Sequence, residues 1–332
     1  MDCRPTVLKI LSFLLSLGTL SASADFCLGQ ALQERINFAG YNEPVKSIAL
    51  SPDGKLLAAG GDNKVIAVLD LTSGTKKTDL EGHSCSVRWL AFAGDDKTLV
   101  SKSSREIIIW DLAKNKHKTA LRGWKGDGLA VTPDGKLLAS PRNGRDVVLW
   151  NLSAAKEESV LTVPAGNIAS LTIDDTATRI AAGYDRRIRV WDLKDKELIC
   201  DFEAHLASVQ QLTFTSGGKT LVSVDKDGIY KTWEGRHLRN RDAFQHYYRY
   251  GFAIAPNGKL LATGTAYGRI SFRDLETGER TDTKTSHRCP IMCVAFSPDG
   301  KLMASAAGRV AVTGPGPLPP GTIKIWDFMS GR

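Results

Sequence analysis

The chain has 332 residues, 42% of them hydrophobic, with 31 glycines and a formal net charge of +8. That is enough apolar material for a sizeable core, and the scarcity of long apolar-periodic stretches argues against a mainly helical protein. Six cysteines in this length fall far below the density of a disulfide scaffold.

The first 24 residues read as a leader rather than as part of the fold. Arg4 and Lys9 give a positive start, Val7 to Leu20 is a mostly apolar run, and Ala22-Ser23-Ala24 ends it. Charged, apolar and then small residues is the order of a secretory signal peptide. The run of 14 positions is short for a membrane anchor, which needs about 20. Cleavage after Ala24 is expected, leaving residues 25–332 exported (periplasmic, cell-envelope or extracellular) with no membrane span. Cys27, Cys85, Cys200, Cys289 and Cys293 then remain. An odd number cannot all pair within one chain, and they read as small buried apolar residues. Export and scattered cations make nucleic acid an unlikely partner despite the basic balance.

Self-similarity fixes the expected architecture. Ser51-Pro52-Asp53-Gly54-Lys55-Leu56 recurs as Thr132 to Leu137, Ala255 to Leu260 and Ser297 to Leu302. In Pro-Asp-Gly the proline presets its backbone angle, the Asp or Asn bonds nearby backbone, and Gly accepts the left-handed position. A second phrase closes each unit: Ile109-Trp110-Asp111-Leu112, Leu149-Trp150-Asn151-Leu152, Val190-Trp191-Asp192-Leu193 and Ile325-Trp326-Asp327-Phe328. Weaker copies end at Asp70, Glu234 and Asp274, giving seven at successive gaps of 41, 40, 41, 42, 40 and 53 residues. Strands such as Arg187-Ile188-Arg189-Val190-Trp191 alternate with period two, so each unit reads as a four-stranded blade.

On these motifs the chain resembles the WD-repeat family of β-propellers over residues 33–332. The resemblance implies an all-β, seven-bladed propeller of antiparallel blades at about 41–80, 81–121, 122–163, 164–203, 204–241, 242–284 and 285–332. The last blade lacks its outer strand at the C-terminal end, and Glu34 to Phe38 aligns with an outer strand. The N-terminal segment 34–38 is therefore expected to complete blade 7 and close the ring. The resemblance also implies a structural hydrogen-bond chain of His, Ser or Thr, Asp and Trp. Blade 5 supplies it as His205, Ser223, Asp227 and Trp233. Blade 2 has His83, Ser101 and Trp110 with Ser104 at the acidic position, and blade 7 keeps His287, Ser305 and Trp326. The final long gap holds a Gly- and Pro-rich insertion around residues 311–321, read as a stiff surface loop.

No enzyme signature is present: no His-Glu-x-x-His, no Gly-x-Ser-x-Gly, no Gly-x-x-x-x-Gly-Lys and no Cys-x-x-Cys. His287, Cys289 and Cys293 are the nearest to a metal set. Four residues of strand separate the two cysteines by roughly 13 Å, too far for one zinc ion. No catalytic residue, metal or cofactor is assigned. What remains is a binding surface, on the loops joining successive blades and those before each third strand. Those loops carry Trp124, Asn143, Tyr184, Arg186, Lys226, Tyr247, Tyr248, Arg249 and Arg288, and aromatics and arginines dominate interface energetics. The expectation is a monomeric, non-catalytic scaffold for a protein or peptide. The alternative is an exported hydrolase or lyase with its site at the channel mouth.

Overall fold

The computed structural model describes residues 32–41, 44–122, 124, 126–234, 239–245, 251–283, 287–308 and 321–328. The expected leader over residues 1–24, the run 246–250 and nearly all of the Gly/Pro-rich insertion lie outside these residues.

Strand β1 (Leu32–Tyr41) comes first in the chain but belongs to the last blade. Blade 1 is β2 (Val45–Leu50), β3 (Leu56–Gly61), β4 (Ile66–Asp70) and β5 (Thr75–Leu80). Blade 2 is β6 (Val87–Phe92), β7 (Thr98–Ser103), β8 (Glu106–Asp111) and β9 (Lys116–Arg122). Blade 3 is β10 (Ala130–Val131), β11 (Leu137–Arg142), β12 (Asp146–Asn151) and β13 (Lys156–Thr162). Blade 4 is β14 (Ile168–Ile173), β15 (Arg179–Tyr184), β16 (Arg187–Asp192) and β17 (Leu198–Glu203). Blade 5 is β18 (Val209–Phe214), β19 (Thr220–Asp225), β20 (Ile229–Glu234) and β21 (Arg239–Gln245). Blade 6 is β22 (Phe252–Ile254), β23 (Leu260–Gly264), β24 (Ile270–Asp274) and β25 (Arg280–Asp282). Blade 7 is β26 (Ile291–Phe296), β27 (Leu302–Ala307) and β28 (Gly321–Phe328), with β1 outermost. Helix among the described residues is one short 3-10 turn, Ser216–Gly218.

Each sheet is an antiparallel meander of four neighbouring strands. The expected architecture is what the chain adopts, including closure by the N-terminal strand. That strand is longer than residues 34–38, pairing from Leu32 opposite Phe328 to Tyr41 opposite Gly321. β21 likewise runs to Gln245, past the expected end of blade 5 at residue 241, because its ladder with β20 continues to the level of Ile229.

The turns form for the reasons their residues suggest. Ser51 Oγ donates to Asp53 Oδ1 at 2.7 Å and accepts the Leu56 N–H at 2.8 Å, while Asp53 Oδ1 takes the Lys55 N–H at 2.9 Å. Thr132 with Asp134, and Ser297 with Asp299, repeat the arrangement. Gly135 sits at φ 68°, and a Cβ there would lie 2.2 Å from the Ala93 carbonyl oxygen of blade 2. Glycine is thus required both for the left-handed angle and for close blade packing. In the closing phrase the acidic residue caps the next turn: Asp111 Oδ1 accepts from the amides of Ala113 and Lys114, and Asp192 Oδ1 from Lys194 and Asp195.

Blades adhere through apolar faces that no single blade could hide. Ile48 and Leu57 of blade 1 pack with Ile323 and Ile325 of blade 7, which closes the ring. Val222 and Tyr230 of blade 5 pack with Phe252 and Leu261 of blade 6. In such a meander the blade-to-blade loops and the loops between second and third strands emerge on one face, around the inner strands. That face is the candidate site.

Candidate functional site

The buried polar chains define what this molecule does with its histidines. In blade 5, Trp233 Nε1 donates to Ser223 Oγ at 2.7 Å, and Ser223 Oγ lies 2.7 Å from His205 Nε2. His205 Nδ1 lies 3.2 Å from Asp225 Oδ2. The carboxylate is Asp225 rather than the expected Asp227. Asp225 ends β19 and points inward, its other oxygen accepting the Asp227 and Ile229 amides, while the Asp227 side chain is exposed in the bend.

Blades 2 and 7 solve the same problem differently. His83 Nε2 bonds Ser101 Oγ at 2.7 Å and Trp110 donates to the same oxygen, but Glu106 stands 3.5 Å from His83 Nδ1, not Ser104. In blade 7, His287 Nε2 meets Ser305 Oγ and Nδ1 meets Thr322 Oγ1, both at 2.6 Å. Glu106 and Thr322 each lie four residues before the blade's tryptophan, the position that Ile229 holds in blade 5. Where the position two after the serine, Ser103 or Ala307, carries no acid, Thr322 bonds His287 in blade 7, while in blade 2 Glu106 stands near His83 Nδ1 without a hydrogen bond.

Ser223, His205 and Asp225 share the atom order of a hydrolytic triad, yet they cannot act as one. The serine is fully buried and its oxygen already accepts the tryptophan N–H. Burial holds His205 at about 4 and His287 at about 3, against an ordinary 6.5, so neither ring is a proton acceptor near neutrality. Both nitrogens of His287 are engaged, which separates it from the buried thiols Cys289 and Cys293. Burial also raises the Cys293 thiol to about 12. Among the described residues, no group of three or more His, Cys, Asp and Glu could hold a metal ion.

Of the residues expected on the loop face, Arg186, Lys226 and Arg288 are exposed there. Arg186 pairs with Glu203 at 3.4 Å, both side chains more than half exposed. Trp124 and Tyr184 leave the set of surface contacts. Trp124 is 5% exposed and meets Trp150 edge-on at 6.5 Å, and the Tyr184 hydroxyl is turned to Asp201 at 2.8 Å. Both rings are large enough to fill space between neighbouring blades, and burial of that area outweighs display. Tyr247, Tyr248 and Arg249 lie outside the described residues.

Sequence reasoning missed two exposed apolar groups on this face. Leu206, in the loop from blade 4 to blade 5, is 91% exposed, and Tyr267, before the third strand of blade 6, is 76% exposed. It also missed two ion pairs on the face, Lys46–Asp62 at 2.5 Å and Arg88–Asp127 at 3.6 Å. A leucine directly after a structural histidine was the available signal. On the opposite face a cleft of about 660 Å³ opens between blades 4 and 5, lined in part by Asp174, Arg179, Lys219 and Glu234. Arg179 is committed there to Asp174 and to the Gly218 carbonyl.

The comparisons agree with this geometry. The family model described as "WD domain, G-beta repeat" matches residues 32–68, 74–111, 156–192 and 278–327. Autophagy-related protein 16 from Arabidopsis thaliana is 24% identical over 78% of this chain and 53% of its own length. Serine-threonine kinase receptor-associated protein from Gallus gallus is 22% identical over 57% of this chain and 55% of its own. Small ribosomal subunit protein RACK1y from Oryza sativa subsp. japonica is 29% identical over 46% of this chain and 49% of its own. The chain spans about half the length, or less, of the curated relatives it matches. With four matched repeats and seven four-stranded antiparallel blades, the chain is a seven-bladed β-propeller that carries WD40 repeats.

Proposed function

We propose that the chain is an exported, non-catalytic platform that binds a protein or peptide on the face carrying the blade-to-blade loops. One observation carries this reading: Leu206 stands 91% exposed on a face that also displays Arg186, Lys226 and Arg288. Exposed arginines sharing a face of a rigid ring with an exposed apolar side chain supply residues that interfaces enrich. The names of two relatives, a receptor-associated protein and a ribosomal subunit protein, describe proteins by what they join, and support the same class. Export rests on the order of charged, apolar and small residues over 1–24. The partner surface that fits is apolar with acidic neighbours.

A photo-reactive amino acid placed at position 206 tests the reading. It should cross-link a discrete extracytoplasmic protein, whereas the same group at position 118, on the outer edge of blade 2, should not. Equal labelling from both positions would remove the loop face as the site.

A further inference from the structure

A buried lysine of blade 2 reaches into blade 3, where the inner strand is cut short. The second-strand position paired with the third strand at the level of Ile66, Ile188, Ile270 and Ile323 holds Gly60, Gly183, Gly264 and Ala306 in blades 1, 4, 6 and 7. At Gly60, Gly183 and Gly264 a Cβ would meet Val87, Val209 and Ile291 of the following blade within 2.7 Å. In these four blades the small residue accepts the β-branched residue that opens the next inner strand, whereas blades 3 and 5 hold Pro141 and Val224 at this level. Blade 2 has Lys102 at this level, paired with Ile107. Correspondingly, blade 3 has Gly126 six residues before its turn, where its neighbours place Val87 and Ile168.

Lys102 is 1% exposed. Its Nζ lies 2.6 Å from Ser140 Oγ and 3.1 Å from the Gly128 carbonyl oxygen, both in blade 3. The inner strand β10 is cut to Ala130–Val131, whereas β6 and β14 have six residues each. Pro141, which has no N–H, follows Ser140 at the level where pairing with β10 stops. The lysine therefore gives Gly128 a donor that the ladder does not. It also takes the serine that in blades 2, 5 and 7 serves a tryptophan, and Trp150 Nε1 is left buried without a partner.

We propose that residues Gly126–Leu129 form a proton-linked rim on the loop face, held closed by Lys102 in its neutral form. Burial drives this amine down to about 7 from an ordinary 10.5, opposed by the charge of Asp127. Asp127 lies on the rim itself and faces Arg88 of β6 at 3.6 Å. The other neighbours, Trp89 and Ile107 by register and Ser140 by hydrogen bond, carry no charge. Lifting the rim hydrates Lys102 and restores its ordinary proton affinity, so the open form binds one proton more than the closed form between pH 7 and 10. Acidification through that window favours opening, about tenfold per pH unit for one proton, and the effect levels off below pH 7. Opening also parts Asp127 from Arg88 and adds an ammonium group to the face. This inference does not depend on the identity of any partner.

Amide hydrogen exchange of a peptide spanning 126–131, corrected for the intrinsic pH dependence of exchange, reads the opening. Between pH 9 and 7.5 its protection should fall roughly 30-fold in the wild type, with no matching slope in the blade 5 peptide 220–234. Lys102→Met should remove the slope. A flat wild-type profile, or an unchanged slope in Lys102→Met, overturns the proposal. If that variant does not fold, an NMR titration of the Lys102 side chain in the wild type decides: a midpoint near 7 supports the rim and one near 10.5 rejects it.

Discussion

Lys324 Nζ and Glu34 Oε2 lie 2.6 Å apart although 290 residues separate them in the chain. They sit on β28 and β1, and Arg35 adds a second contact to Asp327 at 3.6 Å. Partly exposed ion pairs of this kind contribute little stability individually. The ladder between β1 and β28 and the packing of Ile36 and Phe38 against the blade 1–blade 7 core do more.

Removing residues 25–38 should therefore cost the fold, because it strips blade 7 of its outer strand and leaves β28 as a long open edge. Thermal melts of full-length and truncated protein check this. The truncated form should be unfolded or aggregated at 37 °C, while Lys324→Ala alone should shift stability by less than about 1 kcal/mol.

The acceptor behind His205 gives a sharper contrast. Asp225→Ala should destabilise by about 1–3 kcal/mol, since it orphans a buried imidazole N–H and two backbone amides. Asp227→Ala, at an exposed carboxylate, should stay within about 0.5 kcal/mol. Chemical denaturation of the two variants separates them, and equal losses would restore Asp227 to the buried chain.

The histidines also set an acid limit. His205 and His287 fold with proton affinities held at about 4 and 3, below the 6.5 of the unfolded chain. A base with a depressed folded value contributes fully above pH 6.5 and loses that contribution as pH falls towards the folded value. Stability should drop by on the order of 3 kcal/mol per histidine between pH 6.5 and 4. Urea midpoints at half-unit steps measure it, and His287→Gln should flatten part of the slope.

Thiol reactivity follows burial. Cys293 is buried and its thiol is raised to about 12, whereas Cys85 is partly exposed in the loop entering blade 2. A maleimide at pH 7.5 should label Cys85 in minutes and spare Cys293 until the protein is unfolded. Peptide mass mapping reads both.

The repeats were legible in the sequence because their chemistry is local. Pro-Asp-Gly makes its turn with its own side chains, and Trp-Asp caps the bend that follows it. The surface was harder to read. Whether Trp124 or Tyr184 is displayed depends on contacts distant in sequence: Trp124 meets Trp150, the Tyr184 hydroxyl meets Asp201, and both rings sit in cores shared by two blades. Asp225 and Asp227 are the same residue type two positions apart, so which of them faces His205 is settled only by how the turn runs. Nothing in the residues around Lys102 signals that it is buried. Its burial follows from Gly126 and Pro141, which belong to another blade.

Capture of a protein partner by the loop face can be measured directly. Immobilised protein of residues 25–332 would be exposed to extracytoplasmic extract beside an Arg186→Glu/Leu206→Ser/Arg288→Glu variant of the same melting temperature. A discrete protein should be retained by the wild type and lost from the variant. Equal retention by both, or no protein retained by either, would contradict it.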